Sequence, residues 1–310
     1  MIIEPMTTAI NGAAPVPHLG VIRVEGEDAA KFLHSQLTQD FALLGMSEAR
    51  LAAWCSAKGR VLATFIGFKR DHGEILLMCQ RDILPVMIKR LSMFVLRAKA
   101  KINDASGDFL LRGLLGPAVA DVAGSVGALW TRADAGVATL VFLHPSDGVD
   151  RALWLAPAGT ALPAVPVLAA DVWLHAEVCS GVASIGSALS DAFVPQMLNY
   201  ESVGGVSFKK GCYPGQEVVA RSQFRGTLKR RAVLAHTDAA WKPGDELFLA
   251  TDPDQPCATV VQVAASPLGG QDAIVSGQIA ALQGGQLRLG AADGPAVTVR
   301  PMPYALLEDI

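Results

Sequence analysis

Cys212 is the residue of this chain best placed to do chemistry. Lys209 and Lys210 precede it, Gly211 leaves its backbone free, and Tyr213-Pro214-Gly215 turns the chain just after it. Two nearby ammonium groups favour thiolate over thiol, the form that acts as nucleophile, redox centre or soft metal ligand. Gly215-Gln216-Glu217 then supplies an amide and a carboxylate, which can read a polar heterocycle or hold a turn. Glu217 and Arg221 stand four apart, the spacing of an ion pair on a helix surface. The segment Glu201 to Arg231 carries seven Lys or Arg against two Glu, a net +5, while the remaining 279 residues carry −8. One tenth of the chain is therefore a basic island in an acidic protein.

Other residue patterns point to less. The cysteines are Cys55, Cys79, Cys179, Cys212 and Cys257, an odd number without a CxxC pair, which suits a reducing compartment rather than a disulfide framework. No clustered zinc or iron–sulfur ligand set is visible in the spacing, although distant ligands can converge. The six histidines form no HxxxH or HExxH pair and read as structural. Gly124 to Gly127 is a poor phosphate loop without a following Lys-Ser/Thr, and no GxSxG elbow is present.

Composition narrows the class. The 310 residues are 51% hydrophobic and 18% charged, which excludes wholesale disorder and suggests two or three domains. A net charge of −3 argues against a nucleic-acid coat or a polybasic membrane protein. The first twenty residues lack the basic and apolar regions of a signal peptide. The longest uncharged run, Ala152 to Ala170, is broken by Pro157, Gly159, Pro163 and Pro166. The chain reads as soluble, cytoplasmic and without a membrane partner.

The elements that must position Cys212 follow from periodicity. After a disordered-looking start, His18 to Glu25 reads as a strand, and Ala29, Phe32, Leu33 and Leu37 form one helical stripe. Strands are expected at Arg50 to Ser56, Arg60 to Lys69 and Glu74 to Cys79, joined by hairpin turns at 57–59 and 71–73. Arg81 to Arg97 reads as a helix burying Ile83, Met87, Leu91 and Phe94, with Asp82 as its cap and Pro85 in its first turn. Lys99 to Asn103 reads as a short strand. Hairpins predominate, so an α+β unit with an antiparallel sheet is expected. A second unit begins near Asp108, with strands at Phe109 to Leu114, Val137 to Leu143 and Arg151 to Leu155, and helices near Pro117 to Val122 and Asp171 to Ser180. Residues 156–170 read as a loop with a short helix. From Leu228 onward, short β runs separated by Gly, Pro and Asp have the pattern of a small barrel or sandwich. The expected units are 1–105, 106–227 and 228–310.

Lys210 to Glu217, KGCYPGQE, resembles the K-G-C-[YF]-x-G-Q-E signature of the YgfZ family of folate-binding proteins, relatives of the aminomethyltransferase (T-protein) of the glycine cleavage system. Phe193 to Phe208 is similar to the segment leading into that signature, and Val218 to Arg231 to the segment following it. Ile22 to Asp40 and the turn Lys58-Gly59-Arg60 resemble the family's opening strand and helix and its first hairpin. The resemblance implies an α+β fold with two ferredoxin-like units and a C-terminal β-barrel around a central folate channel. It implies a tetrahydrofolate or one-carbon folate ligand. It also implies a role in iron–sulfur cluster assembly or repair, with cluster-assembly or client proteins such as tRNA-thiolating enzymes as partners. On that resemblance Cys212 is the reactive residue, and Gln196, Asn199, Lys210, Tyr213, Gln216, Glu217 and Arg221 are candidates for holding the folate.

Two positions depart from the relatives' pattern. The T-protein has an acidic catalytic residue after the glycine hairpin, whereas here the strand reads Arg60-Val61-Leu62-Ala63-Thr64-Phe65. Proton transfer needs a base within reach, so an accessory protein is expected rather than a true aminomethyltransferase. Where family members often carry Arg in a D-I-R-A-G frame, this chain has Glu177-Val178-Cys179-Ser180-Gly181. A third reading, RNA binding by the basic island with Phe208, Tyr213 and Phe224 beside it, is disfavoured by the small net charge.

Overall fold

The computed structural model describes residues 10–224 and 228–307. Arg225 of the basic island and residues 1–9 of the disordered-looking start lie outside them. In chain order the first elements are β1 (Gly12–Pro15), β2 (Leu19–Glu25), α1 (Ala29–Gln36), β3 (Ala49–Cys55), β4 (Val61–Lys69), β5 (Glu74–Gln80), α2 (Leu84–Val95) and β6 (Lys101–Asp104). Next come β7 (Phe109–Leu115), α3 (Pro117–Ala123), β8 (Arg132–Ala135), β9 (Ala138–Ser146), β10 (Val149–Pro157) and α4 (Ala170–Cys179). The last are α5 (Gln216–Phe224), β11 (Arg230–Thr237), β12 (Glu246–Leu249), β13 (Asp252–Ala265), β14 (Gln271–Gln278), α6 (Ile279–Gly284), β15 (Leu287–Leu289) and β16 (Ala296–Arg300).

These strands build two five-stranded sheets, β3-β4-β5-β2-β6 and β1-β7-β10-β9-β8, and a closed barrel β11-β14-β13-β12-β15-β16. The strand pairs within them are antiparallel, as hairpin-rich sequence requires. The α+β expectation holds, and closure of the barrel removes the edges a sandwich would leave.

Helix α1 shows why the local sequence suffices. Ala29, Phe32 and Leu33 face inward, and Leu37, just past the last turn, is fully buried. They meet Trp54, Phe65 and Leu77 of the first sheet in one core. Burying each large side chain contributes roughly 1.5–3 kcal/mol. Along α2, Ile83, Met87 and Leu91 are buried as the period demands, but Phe94 stays 47% exposed with its ring edge-on to Trp54.

Three local expectations fail for tertiary reasons. Part of the start is a strand: β1 pairs with β7, and Ala13 also exchanges backbone hydrogen bonds with Pro166 and Leu168. Residues 158–169 run as turn, bend and irregular chain, pinned by that pairing at 166–168, so the expected short helix there is absent. Asp82 does not cap α2; its Oδ2 accepts from Ser187 N (2.9 Å) and Ser187 Oγ (2.6 Å), joining the helix start to a distant turn.

Candidate functional site

Two glycines bring the far-apart motifs together. Gly59, in the β3–β4 hairpin, has φ +71°, and Gly215, in the signature, has φ +78°. A Cβ on Gly215 would lie 2.6 Å from the Cα of Gly59, and one on Gly59 would lie 2.7 Å from Val218 Cβ. Only glycine satisfies both the left-handed backbone and this approach. Upstream, buried Thr38 accepts from Ala53 N (2.8 Å) and donates to Gly205 O (2.6 Å), while Ser207 N donates to Thr38 O. The segment entering the signature is thus clamped to the first sheet.

Lys210 completes the clamp. Its Nζ donates to His34 O and to Leu37 O (2.8 Å), both at the C-terminal end of α1. That end carries orphan carbonyls and partial negative charge, which an ammonium satisfies. The Lys210 Nζ also lies 4.6 Å from the Tyr213 ring centroid. Burial pushes the ammonium down to about 8, against the pull of Asp40 and Cys212. On this anchored turn Cys212 is exposed, while Cys55, Cys79, Cys179 and Cys257 are buried. Burial raises Cys55 and Cys79 to about 12 and Cys179 to about 11.

The other expected folate contacts are largely occupied within the protein. Gln196 is fully buried; its Nε2 donates to Val219 O (2.7 Å), while its buried Oε1 has no partner among the described residues. Asn199 is fully buried at φ +58°, with Nδ2 donating to Ala232 O and Oδ1 accepting from Ala232 N. Tyr213 is buried beneath Lys210, and burial raises its phenol above the ordinary value. Gln216 opens α5, and exposed Glu217 and Arg221 form an ion pair on its surface. Of the basic island, Lys210 and Arg231 are buried, the latter paired with buried Glu201.

None of these residues lines the hollow at the centre of the molecule. That hollow lies between the two sheets, α4 and the barrel. Its walls are mostly apolar, with Thr64, His144, Arg151, Glu177, Ser184 and Gln262 among them. A second opening adjoins it, sharing Glu177, Ser184 and Gln262.

Arg151 is the group in this wall whose state most implies a ligand. It is 5% exposed, and its guanidinium stacks 4.6 Å over the Trp173 ring. One nitrogen donates to His144 O at 3.3 Å, while its buried Nε has no hydrogen-bond partner among the described residues. Burial pushes it down to about 10, so it stays charged at neutral pH. His144 lies between the Trp130 and Tyr304 rings with its buried Nε2 unpartnered. Burial, aided by nearby Arg151, lowers it to about 4, so it is neutral at pH 7. Both Glu177 oxygens are engaged, by Trp173 Nε1 (2.7 Å) and His18 Nε2 (2.9 Å). A buried cation and a neutral imidazole, each with one buried nitrogen lacking a partner among the described residues, offer unused hydrogen-bonding capacity in this wall. Sequence reasoning missed Arg151 and His144. The available signal was a lone Arg opening the apolar run RALWLA.

A stability measurement checks the Lys210 clamp. Lys210→Met should lower stability by about 1–3 kcal/mol, the usual cost of leaving buried carbonyls unsatisfied. The folded lysine value is depressed from 10.5 to about 8, so the folded state binds fewer protons than the unfolded chain between those values. Stability of the wild type relative to the variant should therefore rise as pH rises from 8 to 10.5. Urea midpoints for both proteins across that window test it; a flat difference would show that Lys210 is not held this way.

No family model matches the chain. The tRNA-modifying protein YgfZ of Klebsiella pneumoniae (strain 342) is 34% identical over 220 residues, covering 67% of this chain and 66% of that protein. That of Enterobacter sp. (strain 638) is 30% identical over 241 residues, covering 73% and 72%. That of Pectobacterium atrosepticum is 29% identical over 300 residues, covering 91% and 88%. Among solved structures, the glycine cleavage system aminomethyltransferase T from Bartonella henselae matches 96% of this chain and 87% of its own, with a TM-score of 0.67 at 19% identity. The two share a fold.

Proposed function

The chain belongs to the YgfZ family, and from that premise we propose that it binds tetrahydrofolate or a one-carbon derivative and supports iron–sulfur cluster assembly or repair through Cys212. The enzymes served are cluster-dependent ones such as those that thiolate tRNA, in keeping with the relatives' name. The observation that carries the reading is the single exposed thiol, Cys212, on a turn pinned by Lys210 and the Gly59–Gly215 contact. An exposed thiol on a rigid turn can meet a protein-bound cluster or a partner's sulfur, which the four buried cysteines cannot.

The folate belongs in the central hollow. Arg151 and His144 offer charge and hydrogen-bonding capacity to a pterin carbonyl or a carboxylate, and the apolar walls suit the flat ring. Binding is proposed rather than aminomethyl transfer. Strand β4 carries no carboxylate, and both oxygens of Glu177 in the hollow already accept hydrogen bonds. RNA binding is not favoured either. Tyr213 is buried under Lys210, and Phe208 packs edge-on to Phe224, 5.1 Å between centroids, so a free stacking platform is not formed.

Isothermal titration of the full chain with folinic acid tests the reading, with an RNA oligomer as competitor at two salt concentrations. Saturable heat that the RNA does not abolish is expected. No heat at millimolar ligand would remove the folate reading. Incubation with an aminomethylated lipoyl carrier should yield no methylene-tetrahydrofolate; turnover at about 1 per second or faster would restore the aminomethyltransferase.

A further inference from the structure

We propose that His175, Cys179 and Asp272 form a site for a divalent transition-metal ion of borderline softness, with Zn²⁺ the best fit, linking α4 to the barrel. His175 and Cys179 are four apart on α4, so one helical face presents imidazole and thiol one turn apart. Helix α4 packs on β13 and β14, and β14 contributes Asp272. The His175 Nε2 lies 2.8 Å from Asp272 Oδ2 and 3.4 Å from Cys179 Sγ, and the three donor atoms all fall within 4.8 Å of one another. Tetrahedral bonds of ordinary Zn–N, Zn–O and Zn–S length put such atoms about 3.3–3.6 Å apart. The nitrogen–sulfur pair already has that spacing, and the nitrogen–oxygen pair needs to open by a few tenths of an ångström.

The surroundings resemble the outer support of a metal site. The other carboxylate oxygen, Asp272 Oδ1, faces His236 Nδ1 at 3.0 Å and Arg300 Nη2 at 3.5 Å. Ligating carboxylates are commonly held from behind in this way. His236 and Asp272 stand opposite each other in the β11–β14 register, so the sheet itself sets that contact. Arg300 Nη2 also lies 3.7 Å from Cys179 Sγ, able to donate to a metal-bound thiolate.

The donor set selects the ion. Nitrogen, sulfur and a single carboxylate suit Zn²⁺ and its neighbours, whereas Ca²⁺ and Mg²⁺ demand oxygen ligands. Thiolate and carboxylate together neutralise the dication, and Arg300 leaves the cluster with one net positive charge. On binding, the thiol proton passes to solvent and the His175–Asp272 hydrogen bond is replaced by two coordinate bonds. Three protein ligands leave a fourth position for water. Half-buried His175 and His236 leave the site accessible from the surface.

The test is a Co²⁺ titration of the metal-stripped full chain carrying Cys212→Ser. A thiolate-to-cobalt charge-transfer band reaching its limit at one equivalent is expected. It must come from Cys179, because Cys55, Cys79 and Cys257 belong to no such ligand cluster among the described residues. Adding Cys179→Ser should remove the band. His236→Ala should keep the band but weaken binding about 10–100-fold. Stoichiometric Zn²⁺ should bleach the cobalt signal and raise the thermal midpoint. Absence of the band in the Cys212→Ser chain, or its survival when Cys179 is also serine, overturns the site. The first spectrum decides the matter even if the Cys179 variant fails to fold.

Discussion

Cells lacking the native protein should regain none of their cluster-dependent tRNA thiolation from Cys212→Ser, although the variant folds and binds folate as the wild type does. The thiol is exposed, so its replacement by an isosteric hydroxyl removes no packing and should change stability by no more than about 0.5 kcal/mol. Its anchors, Lys210 on the α1 carbonyls and Gly215 on the hairpin, are untouched. What is lost is the soft nucleophile, because a serine hydroxyl does not ionise near neutral pH. The companion measurement is alkylation of individual cysteine peptides by mass spectrometry. Cys212 should label first, and Cys55 and Cys79, raised to about 12 by burial, should label far more slowly. Full complementation by the serine variant, together with slow labelling of Cys212, would reduce the signature to a structural turn.

Arg151→Met should weaken folate binding by 10–100-fold or more while leaving the ligand-free protein as stable as before, or more so. A fully buried charge with an unpartnered Nε carries a desolvation cost that its stacking on Trp173 and one long hydrogen bond offset only in part. Replacing such a charge by an apolar side chain of similar length is often neutral or stabilising. A group retained at that cost with unused bonding capacity is expected to meet something that arrives. The loss corresponds to about 1.4–2.8 kcal/mol of binding. Calorimetric titration and urea melts of the same preparations read both effects. Unchanged affinity with lowered stability would make Arg151 a structural residue and move the ligand elsewhere. Lys210→Met discriminates in the opposite sense, since it weakens the fold and leaves the hollow's lining in place.

Much of the architecture was legible because its causes are local. The spacing of Phe32, Leu33 and Leu37, the turns at 57–59 and 71–73, and the glycine-punctuated β runs after Leu228 each state a backbone preference within a few residues. The observed α1, β3–β5 and barrel strands follow them. The signature KGCYPGQE singled out Cys212 in the same way, since charge and turn residues adjoin it in sequence. Asp82 shows the limit. Its sequence neighbours make it a helix cap, but a turn 105 residues away takes its carboxylate.

By itself, then, the sequence determined most of the elements, the antiparallel character and the presence of an unusual cysteine turn. Tertiary structure alone decided which polar groups are already occupied. Lys210 and Asn199 read as open donors, yet the first serves α1 carbonyls 173 and 176 positions away and the second a strand 33 positions on. Arg151 and His144 read as ordinary, yet burial between two sheets and a barrel leaves one buried nitrogen of each without a partner among the described residues. His175 and Cys179 meet Asp272 only because α4 lies on the barrel, 97 residues from His175 along the chain. The physical reason is common to all of them. Periodicity reports which side of an element faces inward, whereas hydrogen-bond satisfaction depends on what the rest of the chain brings to that side.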